Sequence, residues 1–166
     1  MPRAAADLAE RLVAELTNRG LRVAVAESLT GGLVVAELTS VPGASVVVNG
    51  GVVAYDTAVK RSVLGVSAEL LAREGAVHPE VARQMADGVR RVLAVDGRAA
   101  DLGIATTGVA GPTWQDGEPP GTAYVGVAFE GEIEVVSLEL QGTRGEIRAA
   151  SVLAALDAVL ERLARD

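Results

Sequence analysis

Apolar residues recur along this chain at alternating periods. Leu8, Leu12 and Leu16 fall four apart and Gly20 supplies a stop, which predicts an amphipathic helix over residues 4–19. The short apolar run Arg22-Val-Ala-Val-Ala26 predicts a buried strand. It passes directly into Glu27-Ser-Leu-Thr-Gly-Gly32 and an apolar helix from Leu33 to Leu38. Ser45 to Tyr55 is β-branched but interrupted by Asn49-Gly50-Gly51, which fits either a hairpin or one strand with a glycine bulge. Asp56 to Leu64 reads as helical. Ser67 caps a second short helix through Arg73, and Pro79 opens a long one reaching Val95.

Asp101 to Thr106 predicts another strand, followed by the glycine loop Thr107 to Pro112. Residues 113–120 are polar and proline-rich and predict an exposed excursion. Gly121 to Phe129 and Glu132 to Leu140 read as two strands joined at Glu130-Gly131. Thr143-Arg-Gly-Glu146 matches a capping box ahead of a helix to about Leu163. Ala149, Val152, Leu156, Val159 and Leu163 line one face of it. Strands and helices alternate early and an antiparallel pair comes late. The expectation is a single α/β domain over 1–166, three layers deep (α/β/α) with a mixed sheet.

Composition narrows the class. Nearly half the residues are hydrophobic, yet only four are aromatic: Tyr55, Trp114, Tyr124 and Phe129. That is a globular chain with a small-residue core. A net charge of −7 offers no basic face for counterion release, and so few aromatics offer little stacking platform. No direct nucleic-acid partner is expected, although a local arginine cluster could hold one small anion. The uncharged stretch Leu38 to Tyr55 is broken by Pro42 and glycines, so no membrane helix is expected. The N-terminal residues lack a signal-peptide core, and a cytoplasmic location is expected.

Candidate chemistry is scarce, and that makes it informative. The chain has no cysteine, one histidine (His78) and one lysine among its fifteen Lys and Arg residues, so fourteen are arginine. Arginine does not surrender its proton, whereas a buried lysine can serve as a general base. Lys60 is therefore either such a base or a lone surviving surface lysine. His78 precedes Pro79 at a helix start, a capping or solvent-facing position. No ligand cluster surrounds it, so neither metal nor cofactor is expected.

Three loops follow predicted strands or open a helix where α/β sheets bind ligands. Glu27 to Gly32 offers hydroxyls and glycines at a helix start, either to receive an anionic or carbonyl oxygen or simply to cap the helix through Ser28 or Thr30. Thr106 to Pro112 lets a ligand approach the backbone, or is a tight turn. Arg144 stands in a first turn, where it opposes the macrodipole, and forms a like-charged i, i+4 pair with Arg148. Their offsetting partner is Glu146, another carboxylate, or a substrate phosphate. With histidine scarce, a serine nucleophile would look to a lysine for its base.

Taken in order, several segments resemble one family. They are Ala26-Glu-Ser-Leu-Thr-Gly-Gly32, Pro42-Gly-Ala-Ser45, Gly51-Val-Val-Ala-Tyr55, Lys60 with Leu64-Gly-Val66, and Gly75-Ala-Val-His-Pro-Glu80. Gly108-Val-Ala-Gly-Pro112, Pro120-Gly-Thr122 and Gly142-Thr-Arg144 complete the set. Together they resemble the C-terminal domain of the competence- and damage-inducible CinA proteins, the nicotinamide mononucleotide deamidase family. The resemblance implies metal-independent hydrolysis of the carboxamide of nicotinamide mononucleotide to nicotinate mononucleotide and ammonia, a step in pyridine nucleotide recycling. It implies Ser45 as nucleophile, Lys60 as its general base and Tyr55 as a supporting hydroxyl. Ser28, Thr30, Thr107, Gly108 and Arg144 would line the nucleotide pocket, Arg144 touching phosphate. A small nucleotide substrate and a homodimer are the partners it implies.

Larger CinA proteins carry an N-terminal domain resembling molybdopterin-binding proteins with pyrophosphatase activity. This sequence lacks it, and that second activity is not expected. Thr113 to Pro119, with Trp114, departs from the family pattern and reads as a lid or a dimer contact. The alternative from another class is a catalytically silent nucleotide-binding or adaptor module.

Overall fold

The computed structural model describes residues 2–166. Helix α1 (Pro2–Arg19) leads into strand β1 (Val23–Glu27) and helix α2 (Leu33–Ser40), then a single 3-10 turn (Ala44–Val46) and β2 (Val48–Val53). Helices α3 (Thr57–Ser62), α4 (Ala68–Glu74) and α5 (Pro79–Val92) precede β3 (Leu102–Gly108). The chain closes with β4 (Thr122–Phe129), β5 (Glu132–Glu139) and α6 (Arg144–Leu163). The sheet order is β2-β1-β3-β4-β5, with β2, β1 and β3 parallel and β4 and β5 antiparallel. The expected mixed sheet in a three-layer α/β fold is what forms.

The two larger apolar cores among the described residues flank the sheet. On one face α1, α2 and α6 pack Leu12, Leu16, Leu38, Leu156 and Val159 against Val25 and Ile104. On the other, α5 packs Val81, Met85 and Val89 against Ala24, Ala26 and Ala105. Small side chains on this second face let α5 ride close to the strands. A Cβ at Gly103 would stand 1.9 Å from the Ala86 carbonyl oxygen, so only glycine fits there.

The segment around the glycines is one strand, not a hairpin. Its register skips a residue: Val23 pairs with Val48 and Ala24 with Gly50. Asn49 is the bulged residue. Its amide nitrogen donates to the Leu93 carbonyl at 3.0 Å, and its oxygen accepts from Arg22 at 3.0 Å. Side-chain bonds hold this bulge where a ladder pair would otherwise stand. The turn carrying Ser45 precedes the strand, whose regular pairing begins only at Val48. Other boundaries shift by a few residues: α5 ends at Val92 rather than Val95, and β3 runs on to Gly108.

Candidate active site at the switch point of the sheet

β1 lies between two parallel neighbours, and the chain crosses from β1 to β2 through α2, then from β2 back past β1 to β3 through α3–α5. The two crossovers cover opposite faces of the sheet. Such a switch in direction opens a crevice at the carboxyl ends of the strands, the usual binding position in open α/β sheets. Ser28, Ala54 and Val109 directly follow the three strands there.

Glu27 builds the first loop. Its fully buried carboxylate accepts from the backbone N–H groups of Gly32 and Val34, each at 3.0 Å, and of Val35 at 2.9 Å. The start of α2 is thereby capped from within the sheet. Gly32, at φ 99°, has no capping side chain of its own. Capping by Ser28 or Thr30, one of the readings of this segment, does not occur. Three charge-assisted bonds and the helix dipole offset the burial of the carboxylate. Thr30 is fully buried beneath the loop, its hydroxyl 2.7 Å from that of Thr106, and does not line the crevice. From the other side Arg148 donates Nε to the Leu29 carbonyl and a terminal nitrogen to that of Thr30, both at 2.9 Å. Ser28 is left with its hydroxyl uncommitted to the loop.

That hydroxyl meets Lys60. Asp56 caps α3 by accepting from the Ala58 N–H at 2.8 Å, and the helix carries Lys60 inward until only 1 % of it is exposed. Lys60 Nζ donates to Ser28 Oγ at 3.0 Å and to the Ala54 carbonyl at 2.8 Å. Burial lowers its pKa from 10.5 to about 8, against the opposing pull of the Asp56 and Asp116 carboxylates. The surface-lysine reading of Lys60 is thus excluded.

Ser45 is not its partner. It is exposed on the 3-10 turn at the amino end of β2, whereas Lys60 bonds to Ala54 just past the carboxyl end. Six strand residues intervene, roughly 20 Å at the rise of an extended chain. The expected Ser45–Lys60 pair does not form, because strand direction separates the two residues. Sequence proximity concealed this, while Ser28, thirty-two positions away, closes the contact.

A cavity of about 320 Å³ opens above Ser28, bounded by Tyr55, Thr107, Gly108, Gly111, Trp114 and Arg144, among others. Arg144, exposed at the first turn of α6, donates to the Gly111 carbonyl at 2.7 Å and to the Tyr55 hydroxyl at 2.8 Å. Tyr55 accepts that bond and keeps its own proton free. Glu146 is not the offsetting partner: its carboxylate accepts from the Thr143 N–H and hydroxyl at 2.7 Å, completing the capping box. Neither Arg144 nor Arg148 has a carboxylate within 4.0 Å among the described residues. Thr107 is buried and donates its hydroxyl to the Ala76 carbonyl at 2.7 Å, so toward the cavity it can only accept. His78 caps α5, its Nδ1 accepting from the Glu80 N–H at 3.1 Å. Among the described residues no three His, Cys, Asp or Glu side chains gather as a metal site.

Glu27, Arg148 and Asp116 also belong to the site, and sequence patterning alone does not single them out. Arg148 does leave a trace in the sequence, the unfavourable charge pair with Arg144. Glu27 is an acid in a strand buried along its whole length, a conflict that only a buried set of donors resolves.

A mixed α/β domain whose switch point holds a buried Ser–Lys pair has close relatives of known structure. The family model described as the CinA C-terminal domain matches residues 5–163, and the chain belongs to that family. A CinA superfamily protein from Klebsiella pneumoniae superposes with a TM-score of 0.91 at 34% identity, covering 98% of this chain and 99% of that one. A competence/damage inducible protein from Agrobacterium tumefaciens gives 0.88 at 35% identity, over 95% and 94% of the two chains. In sequence, a putative competence-damage inducible protein of Geobacillus kaustophilus is 48% identical over 152 residues, 91% of this chain and 36% of that one. The chain spans about a third of the length of the curated relatives it matches.

Proposed function

We propose that this chain is a metal-independent amidohydrolase that removes the carboxamide nitrogen of nicotinamide mononucleotide, with Ser28 as nucleophile and Lys60 as its base. The observation that carries the reading is the 3.0 Å contact between a buried lysine of lowered pKa and a serine hydroxyl at the cavity floor. Neutral Lys60 takes the Ser28 proton as Oγ bonds to the carboxamide carbon. The backbone N–H of Leu29, which donates to no other group among the described residues, lies next to the nucleophile, a usual place for an oxyanion donor. On collapse the C–N bond breaks, and Lys60 returns its proton to the departing nitrogen, which leaves as ammonia. Water then attacks the Ser28 ester. Lys60 takes the water proton and passes it to Ser28 Oγ, releasing nicotinate mononucleotide.

Ser45 has no part in this scheme. Tyr55 supplies a free phenolic proton, Thr107 and Gly108 border the ligand, and Arg144, bonded only to neutral oxygens, takes the phosphate. The small nucleotide, and the homodimer suggested by exposed Val46 and Val53 on or beside edge strand β2, belong to the same proposal. Purified protein incubated with nicotinamide mononucleotide is expected to release ammonia stoichiometrically with nicotinate mononucleotide. Tight binding with no ammonia would favour the silent adaptor instead.

A further inference from the structure

Two of the chain's four aromatic residues are spent where no core needs them. Tyr55 is 60% exposed and Trp114 is 67% exposed, yet both line the one cavity above Ser28. They reach it from separate segments, one following β2 and the other on the hairpin that follows β3. The Tyr55 hydroxyl is held by Arg144 at 2.8 Å.

Trp114 sits on a small hairpin closed by the Gln115–Glu118 bridge, with Asp116 (φ 51°) and Gly117 (φ 81°) forming the turn. The turn is tied to the body of the protein, because the Asp116 carboxylate accepts from the Ala76 N–H at 2.8 Å. Gly75 makes room for it: a Cβ there would stand 2.5 Å from the Asp116 carboxyl carbon. A polar hairpin is thus fastened beside the cavity, presenting one large flat side chain to it.

From this we infer that Trp114 is a specificity-determining residue that stacks on a flat aromatic base in the cavity, with Tyr55 bounding the same space. The inference rests on the proposed deamidase reading for its ligand, a pyridinium nucleotide. Such a ring is both planar and cationic, and the face of an indole attracts both properties. Arg144, on α6 at the same cavity, would hold the phosphate, so ring and phosphate are recognised by residues of different segments. Trp114 acts on binding and takes no part in proton transfer.

Trp114 is the only tryptophan, so its fluorescence reports this contact alone. Titration of the full chain with nicotinamide mononucleotide should quench that emission, while ribose 5-phosphate should not. Calorimetry on Trp114→Leu, which keeps apolar bulk but loses the π face, should show affinity weakened about tenfold, with Trp114→Phe recovering most of it. An ammonia assay on the same preparations separates the outcomes. Quenching with the affinity loss supports the stacking role whether or not ammonia appears. Binding or turnover without quenching, and with Trp114→Leu binding as wild type, overturns the stacking role and leaves the deamidase reading intact. Absence of both binding and turnover overturns the two together.

Discussion

The two ends of α6 keep their arginines in opposite company. Near the carboxyl end Arg162 is buried over the Phe129 ring, 5.0 Å from its centre, and meets Asp166 at 2.9 Å, Glu134 at 3.5 Å and Glu132 at 3.6 Å. Its charge is satisfied by three carboxylates and agrees with the helix dipole. At the amino end Arg144 and Arg148 oppose that dipole and touch only carbonyl and hydroxyl oxygens. The first arrangement holds structure together. The second accepts a local electrostatic cost beside a cavity, which is expected of a site built for an anion.

The same contrast separates Lys60 from the paired surface cations, and it yields the largest expected effect. Lys60→Arg retains the charge but cannot give up a proton, so ammonia release in a steady-state assay should fall about a thousandfold or more. Near wild-type activity in that variant would remove Lys60 as the base. Next comes the arginine pair itself. Arg144→Ala should raise KM for the nucleotide about ten- to a hundredfold with little change in thermal midpoint. Arg162→Ala should leave KM alone and cost about 1–2 kcal/mol in a denaturant melt. Exchanged outcomes would break the comparison between the helix ends.

A smaller effect follows from pH. Because burial lowers the Lys60 pKa to about 8, the neutral base becomes more abundant as pH rises, and kcat/KM should climb roughly tenfold from pH 7 to a plateau above 8. Stability moves in the same direction. Folded Lys60 releases its proton near 8 while the unfolded chain holds it to 10.5. Stability contributed by the neutral amine therefore grows through that window, and below it the buried charge opposes folding. A pH–rate profile flat across 7 to 9 would contradict the lowered pKa.

Much of the fold was legible because its signals are local. The leucine spacing of α1, the capping box of α6 and the Glu130-Gly131 turn each declare themselves within a few residues. The candidate site was legible in its residue types but not in its pairing. Lys60 stood out as the lone lysine, and Arg144 stood out as a cation at the wrong helix end. Motif resemblance points to Ser28 for binding and Ser45 for chemistry, because it carries no strand direction. The parallel pairing of β1 with β2 brings Glu27 beside Val53, and with them Ser28 beside Ala54, while Ser45 is left at the far edge. Glu27 capping α2 from inside the sheet is equally non-local: it depends on the turn folding the helix start back over the strand end.

The most direct test of the Ser28–Lys60 pair sets Ser28→Ala beside Ser45→Ala in one ammonia-release assay with nicotinamide mononucleotide. Ser28→Ala should lose about three orders of magnitude or more in kcat, while Ser45→Ala should stay within a few-fold of wild type. An inactive Ser45→Ala with an active Ser28→Ala would contradict the account.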